Sequence, residues 1–360
     1  MALAAYEDEF TRYRRLLFSI AYRMLGTVTD AEDMVQETYL RWRRAHDDGA
    51  PTVATPKGWL TTTITRLSID HLRSARVRRE EYVGPWLPEP ILTPDTDDDP
   101  AEGAALADTL SLAFLVVLER LNPVERAVFL LHDVFGYDFA EIAPIVGKSA
   151  PNCRQLARRA RDHVAANRPR FAPDPATRER LLGEFMRACT SGDLPGLIDI
   201  LADDITLWSD GGGKVHAARK PIYGAEKVAA FALRIAQMSA ADGATYQLAT
   251  INGQPGLIAL LAGIPYSVLT LDIAAGKIAG MAVVVNPEKL RGVVVGRRAG
   301  AAGGWFDGHA DRFVLREGGG GVDDHMGVAA RISHEQAAAI ALPIGCDEPD
   351  LESLIGADLR

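Results

Sequence analysis

Between Lys148 and Arg170 seven basic side chains (Lys148, Arg154, Arg158, Arg159, Arg161, Arg168 and Arg170) stand against a single acid, Asp162. Arginine and lysine at that density form charge-assisted bonds to phosphate oxygens, and the interleaved Asn152 and Gln155 are types that hydrogen-bond base edges. The chemistry of this window is therefore that of holding a nucleic acid. A second cluster has the opposite sign: Thr29-Asp30-Ala31-Glu32-Asp33-Met34-Val35-Gln36-Glu37 concentrates carboxylates in a stretch that a simple DNA binder does not require. Groups able to make or break bonds are scarcer. Asp210, His216 and Asp272 lie near expected strand ends, but their spacing arranges no acid–base pair, so catalysis is not expected. Cys153, Cys189 and Cys346 are far apart without Cys-x-x-Cys spacing, and His309, His325 and His334 with Cys346 do not fall at ligand spacing. Neither a disulfide framework, a metal nor any other cofactor is indicated.

The basic window needs a helix, and the sequence supplies one. Cys153, Leu156, Ala157, Ala160 and Val164 form a stripe of 3.6-residue period, which places Arg154, Arg158 and Arg161 on the opposite face. Asp138, with Glu141 three residues on, caps a preceding short helix, and Gly147 makes the turn between the two; this is the spacing of a helix-turn-helix. Upstream, Leu110–Leu121 is an apolar helix, and Asn122-Pro123-Val124-Glu125 opens the next with cap, first-turn proline and third-position acid in order.

The acidic stretch also reads as helical. Thr29 and Glu32 match a capping box, and Met34, Val35, Thr38, Tyr39 and Trp42 form one stripe, leaving Asp33, Gln36 and Glu37 outward. Before it, Leu16, Leu17, Ile20, Ala21 and Met24 mark an amphipathic helix ended by Gly26. After it, Thr55-Pro56 starts a third helix through Arg76, with Leu60, Ile64, Leu67 and Leu72 on its core side. Arg66, Asp70 and Arg73 project from another face, with Arg76, Arg78 and Arg79 following and Trp59 and His71 nearby. Arginines and aromatics in that combination suit a DNA backbone and unstacked bases.

A net charge of −9 argues against wholesale coating of nucleic acid, and 48% hydrophobic residues over 360 positions allow two or three domains. No signal-peptide pattern opens the chain and no uncharged apolar run nears the ~20 residues of a bilayer span, so a soluble, cytoplasmic protein without membrane contact is expected. Asp95–Asp108 carries six acids and no base, bracketed by Pro88, Pro90, Pro94 and Pro100, and reads as an extended, self-repelling linker. Beyond residue 170, Thr177–Cys189 and Leu194–Leu201 read as helices. Residues 205–208, 256–261, 266–273 and 277–285 then read as short strands, consistent with a cone-shaped α+β domain. Gly300–Gly304 and Gly318–Gly321 are flexible spacers in a tail where Trp305, Phe306, Phe313, Val314 and Leu315 hint at a small strand element.

Taken in order, Asp30–Glu37, Trp59-Leu60 with Ile69-Asp70-His71-Leu72-Arg73, Leu121–Arg126, and Asp133–Tyr137 leading into the helix-turn-helix resemble an extracytoplasmic-function sigma factor of the sigma-70 family over roughly residues 6–168. The resemblance implies two all-α domains, 1–83 and 108–170, joined by a linker at 84–107. It further implies RNA polymerase core as partner, through the β′ clamp helices and the β flap, with Asp33, Gln36 and Glu37 as the clamp contacts. Arg66, Asp70, His71 and Arg73 would engage the −10 promoter element, and Ser149, Asn152, Arg154, Gln155 and Arg158 the −35 element.

The remaining sequence resembles the SnoaL-like, nuclear-transport-factor-2-type (NTF2-like) domain fused to one sigma-factor subgroup. Three motifs carry the likeness: Trp86-Leu87-Pro88-Glu89-Pro90, Asp210-Gly211-Gly212-Gly213-Lys214, and Asn286-Pro287-Glu288-Lys289-Leu290, where the subgroup usually has aspartate at the position of Glu288. An α+β domain over 174–290 is implied, with a role in regulating the sigma domains, while 291–360 has no recognised counterpart. Trp86 and Leu87 are apolar in a polar linker and should dock; the glycine triplet permits close approach of another segment. The expectation is that the linker packs near Asp210–Lys214. The main reading is a promoter-specificity subunit and not an enzyme. Two alternatives are a helix-turn-helix regulator whose C-terminal domain senses a small ligand, and an isomerase or cyclase with a DNA-binding appendage.

Overall fold

A computed structural model describes residues 2–47, 55–80, 82–93, 109–167, 175–294 and 313–314. The described residues fall into two compact units: one from residues 1–81 and 114–168, the other from 82–113 and 169–360. The acidic part of the linker, the side chains of Arg76, Arg78 and Arg79, and nearly all of the tail, including Cys346, lie outside the described residues.

The first unit is helical. Helix α1 (Ala2–Leu25) buries Leu17, Ile20, Ala21 and Met24 at the expected spacing and stops at Gly26, whose φ of 76° a β-carbon would disfavour. Only Gly26 and Thr27 separate it from α2 (Val28–Asp47). The α2 cap is accordingly Thr27 and not Thr29: the Thr27 hydroxyl donates to Asp30, and its carbonyl accepts from the Ala31 amide at 3.2 Å. The tight turn at Gly26 moves the helix start two residues ahead of the Thr29-x-x-Glu32 pattern. Val35, Thr38 and Trp42 of α2 are buried, and Trp42, with no exposure, contributes about 3 kcal/mol by leaving water.

Helix α3 (Pro56–Glu80) starts at the predicted Thr55-Pro56 pair but runs past Arg76, and it buries Thr61, Thr65, Ser68 and Ile69 as well as Leu60, Ile64 and Leu72. Other helices therefore pack on α3 from more than one side. The Ser68 hydroxyl is accommodated by turning back to the Ile64 carbonyl at 2.8 Å, and the Thr61 hydroxyl by sharing a hydrogen bond of 2.9 Å with that of Tyr137.

Helix α4 (Leu112–Glu119) leads to α5 (Pro123–Phe129), whose Asn122 cap accepts from the Val124 and Glu125 amides at 3.1 and 2.9 Å. The chain then widens into a π-helical turn, Leu130–Val134, that no sequence period announces. Helix α6 (Phe139–Val146) ends at Gly147 in the left-handed region (φ 66°), and α7 (Ala150–Asn167) follows. Cys153, Ala157, Ala160 and Val164 are buried, so the predicted stripe faces inward.

The second unit is a sheet with helices. Helices α8 (Pro175–Ser191) and α9 (Leu194–Ile200) precede β1 (Leu201–Asp210) and β2 (Ile222–Tyr223). Helix α10 (Ala225–Ala241) and strands β3 (Thr245–Ile251), β4 (Gln254–Leu261), β5 (Ile264–Ala274) and β6 (Lys277–Val284) complete the body, and Phe313–Val314 adds β7 beside β3. The order is β2-β1-β6-β5-β4-β3-β7, antiparallel except for β1/β6 and β3/β7. Leu181, Phe185, Leu197, Val228, Leu233, Leu257, Leu271 and Met281 belong to one core between the helices and one sheet face. Strand alternation puts Ile258, Val268 and Val284 on the other face, and these too are fully buried, as is Leu87 of the linker.

Replacing Gly147 by alanine should destabilise the helical unit by about 1 kcal/mol, because a β-carbon in the left-handed conformation meets the following carbonyl. A lowered urea midpoint by far-ultraviolet circular dichroism checks this.

Candidate functional site

Three surfaces of the helical unit and one buried hub of the sheet unit contain the side chains expected to contact polymerase, DNA and the linker. On α2, Asp33 and Gln36 are exposed, while Glu37 accepts from Arg41 Nε at 2.8 Å one turn on. Exposed pairs of this kind add little stability; here the pair fixes the direction of the Glu37 carboxylate. Asp30 faces His71 of α3, 3.3 Å between Oδ1 and Nε2, and Glu32 pairs with Arg14 of α1. The acids at Asp30 and Glu32 thus tie helices together, and Asp33, Gln36 and Glu37 remain as the outward set.

On α3 the four expected DNA residues have different fates. Asp70 and Arg73 are exposed and pair with one another at 3.2 Å. His71 is half-buried against Asp30. The Arg66 guanidinium donates from Nε to the Ile145 carbonyl at 2.9 Å and from Nη2 to the Pro144 carbonyl at 2.6 Å, in the last turn of α6. At the start of α7 and along it, by contrast, Ser149, Asn152, Arg154, Gln155 and Arg158 are all exposed. Ser149 also caps the helix, its Oγ accepting from the Asn152 amide at 3.4 Å.

The hub of the sheet unit is the Asp210 carboxylate, which has no solvent exposure. Oδ1 accepts from the Tyr82 phenol at 2.6 Å and the Gly212 amide at 3.0 Å; Oδ2 accepts from the Leu87 amide at 2.8 Å and Lys289 Nζ at 2.7 Å. Burying a carboxylate is tolerable only when its lone pairs are met this fully and a cation stands beside it. Lys289 is in turn held over the Trp86 ring, 4.3 Å from its centroid, and donates to the Leu87 carbonyl. Asn286 Nδ2 donates to the Tyr82 oxygen at 3.0 Å, and Lys214 pairs with Glu288.

The three C-terminal motifs therefore meet around one carboxylate, as expected from the docking of Trp86 and Leu87. The glycines are sterically required there. Gly212 has φ +61°, and a β-carbon on it would lie 2.3 Å from the Asn286 amide nitrogen; Gly213 has φ +69°, with Val83 3.0 Å from where its β-carbon would be. Pro287 is half-buried and Leu290 buried beside them.

Two residues of this assembly escaped the sequence reading. Tyr82, two residues past α3, carries the shortest contact to Asp210, and burial first, then its bond to Asp210, raises its phenol pKa above the ordinary 10.0. Asn252, at φ 52° in the β3–β4 turn, accepts from the Ile91 amide at 2.9 Å, donates from its own amide to the Ile91 carbonyl at 2.8 Å, and reaches the Leu110 carbonyl at 3.0 Å. Leu92 pairs with Ile251 in an antiparallel bridge, so the linker is zipped to β3 by its backbone. The Asn252-Gly253 dipeptide between two apolar strands was a legible hairpin signal; nothing in sequence announced that its side chain would hold the linker.

Comparison with known proteins identifies the helical unit. Residues 10–78 match the model of Sigma-70 region 2, and residues 111–164 that of Sigma-70, region 4. The ECF RNA polymerase sigma factor SigJ of Mycobacterium tuberculosis is 41% identical over 298 residues, 79% of this chain and 93% of the relative. The chain belongs to the ECF RNA polymerase sigma factors. A probable ECF RNA polymerase sigma factor of the same organism, SigI, is 35% identical over 77% of this chain and 92% of its own length. The crystal structure of SigJ matches this sigma factor with a TM-score of 0.64 at 37% identity, covering 79% of this chain and 98% of SigJ. The sheet-bearing C-terminal domain is thus part of what the two chains share. No described helix is long and apolar enough to cross a membrane.

Removing one partner of the buried pair leaves the other charged and uncompensated, so Asp210→Ala and Lys289→Met should each destabilise the sheet unit by about 3–5 kcal/mol. The double variant should lose clearly less than the sum, as urea titrations followed by tryptophan fluorescence will measure. The raised Tyr82 pKa carries a sign. Its contribution is complete below pH 10.0 and is lost as pH rises towards the higher folded-state value, because only the unfolded phenol ionises in that interval. Tyr82→Phe should therefore remove a late-titrating component from the alkaline tyrosinate absorbance curve.

Proposed function

We propose that this sigma factor directs RNA polymerase core to specific promoters and starts transcription there, and that its C-terminal domain governs the process through the linker. In this reading Asp33, Gln36 and Glu37 contact the clamp helices of β′, the region 4 segment meets the β flap, and Arg66, Asp70, His71 and Arg73 engage the −10 element. Ser149, Asn152, Arg154, Gln155 and Arg158 read the −35 element. The observation that carries the reading is the exposure of that last set together on one helix whose opposite stripe is buried. A merely structural helix would have no reason to present arginines, asparagine and glutamine on a common face.

The C-terminal domain is read as SnoaL-like. Support comes from its helices packed on one face of a largely antiparallel sheet and from the convergence of the three motifs on Asp210. Regulation follows from chain connectivity. The segment that links the two DNA-reading regions is fastened at Tyr82, Leu87, Ile91 and Thr93, so its free length depends on whether the hub is intact. Neither alternative raised above has a comparable observation: a plain regulator leaves the outward acids of α2 without purpose, and the relatives are named as sigma factors and not as enzymes.

The test is transcription with purified core polymerase on a library of genomic fragments, with sequencing of RNA 5′ ends. The full chain should create start sites that core alone lacks. Charge reversal at Asp33 and Glu37 should abolish them while leaving circular dichroism unchanged, and Arg158→Ala should weaken promoter binding by roughly 1–3 kcal/mol. An absence of factor-dependent starts, with a vegetative factor active on the same core, would reject the reading.

A further inference from the structure

Helix α5 does not run on in its own register. The Phe135 amide bonds to the Leu130 carbonyl, five residues back, at 3.0 Å, and the Tyr137 amide bonds to that of Leu131 at 2.8 Å. Such a wide turn takes up an extra residue, and inserting one residue rotates the chain beyond it by about 100°. An unbroken α-helix would stack Asp133 over Leu130, Phe129 and Arg126, all of them buried. A carboxylate without a partner is costly in such a place. The turn carries it instead to the flank of α7, where Asp133 Oδ1 accepts from Arg161 Nε at 2.6 Å, the two side chains being 23% and 47% exposed.

A pair this exposed adds little to stability. Its effect on direction is larger. The donors of a guanidinium lie in one rigid plane, so holding Nε fixes where Nη1 and Nη2 point. Those two terminal nitrogens have no bond among the described residues. Arg161 also extends a row, since it stands two turns beyond the exposed Arg154 on the same side of α7. Asp162, the single acid of the basic window, is rotated from Arg161 by about 100° and does not share that flank. A planar cation held at one end, with its fork left outward, suits the two-bond geometry of a phosphate.

We propose that Arg161 grips the DNA backbone beside the reading row of α7, and that Asp133, delivered by the π-helical turn, is the positioning residue that aims it. The inference rests on the reading of α7 as the −35 helix. A phosphate contact carries no sequence information, so Arg161 holds the helix on any duplex while Asn152, Gln155 and Arg158 meet the bases. Asp133 does not touch DNA: its carboxylate repels phosphate, and it serves binding only through the arginine that it orients.

The experiment follows binding of the full chain to a fluorescein-labelled, mixed-sequence duplex by anisotropy over a series of salt concentrations. Arg161→Ala should bind about fivefold more weakly at low salt and lower the slope of log affinity against log salt by about 1. Asp133→Asn and Asp133→Ala both remove the negative charge, but only asparagine keeps an oxygen for Arg161 Nε. Asp133→Asn should therefore bind at least as well as the parent, and Asp133→Ala about threefold more weakly than Asp133→Asn, because a freed arginine must be ordered by the DNA itself. With Arg161→Ala in the background, the two Asp133 variants should bind alike. Urea midpoints should stay close to the parent's throughout. An unchanged slope in Arg161→Ala, equal binding of the two Asp133 variants while Arg161 is present, or losses that follow a lowered urea midpoint would each overturn the inference. Failure of the −35 reading looks different: Arg158→Ala would then bind like the parent, whereas this inference fails alone when Arg158→Ala loses affinity and Arg161→Ala keeps its slope.

Discussion

The Asp210 carboxylate is the constraint on which the sheet unit's relation to the linker depends. A buried carboxylate demands donors on both oxygens and a compensating cation, and the chain gathers them from places far apart in sequence: Tyr82 and Leu87 upstream, Gly212 locally, Lys289 downstream. Because each donor is also fixed by something else, the demand propagates. Lys289 is oriented by the Trp86 face, Tyr82 by Asn286, and the Gly212 amide by a backbone conformation that leaves no room for a side chain. An unmet partner anywhere in this set would be felt by all of it, which is how a few residues in a loop hold a whole linker in place.

The same principle, in a weaker form, organises the helical unit. Helix ends are where backbone groups run short of partners, and arginines from other segments fill the need at α1 and α6. The surfaces left over are those without such internal demands: Asp33 and Gln36 on α2, and the row from Ser149 to Arg158 along α7. Groups that hold the fold and groups left outward are thereby assigned to different faces of the same helices. Arg66 combines both conditions, being exposed and yet bonded to the last turn of α6.

Local rules accounted for most of the helices. The stripes of α1, α2 and α7, the caps at Asn122 and Asp138, and the turn at Gly147 depend on neighbours within a few residues and were readable in advance. Where a local pattern competed with chain geometry it lost: Thr29 and Glu32 had the right spacing for a capping box, but the turn at Gly26 made Thr27 the cap. Helix α10 was overlooked although Ala225, Val228, Ala229, Ala232 and Leu233 recur at helical spacing and are buried. Alanine carries little weight in a hydrophobic count, so a stripe built largely of alanines is faint in sequence. Strand β3 was missed because its residues are mostly half-buried, which blurs the alternation a strand should show.

By itself the sequence determined the identities of the parts: an acidic helix, a helix-turn-helix with a basic outer face, and three short motifs whose residues proved to converge. Those follow from side-chain type and spacing, which are written along the chain. Only the tertiary structure decided which charged groups were satisfied internally and which were left outward. It drew Tyr82 and Asn252 onto the linker's anchorage and turned Arg66 towards α6. The physical reason is that hydrogen-bond satisfaction is a property of buried neighbourhoods assembled from residues more than a hundred positions apart, such as Tyr82 with Asp210, and no window of sequence contains both partners.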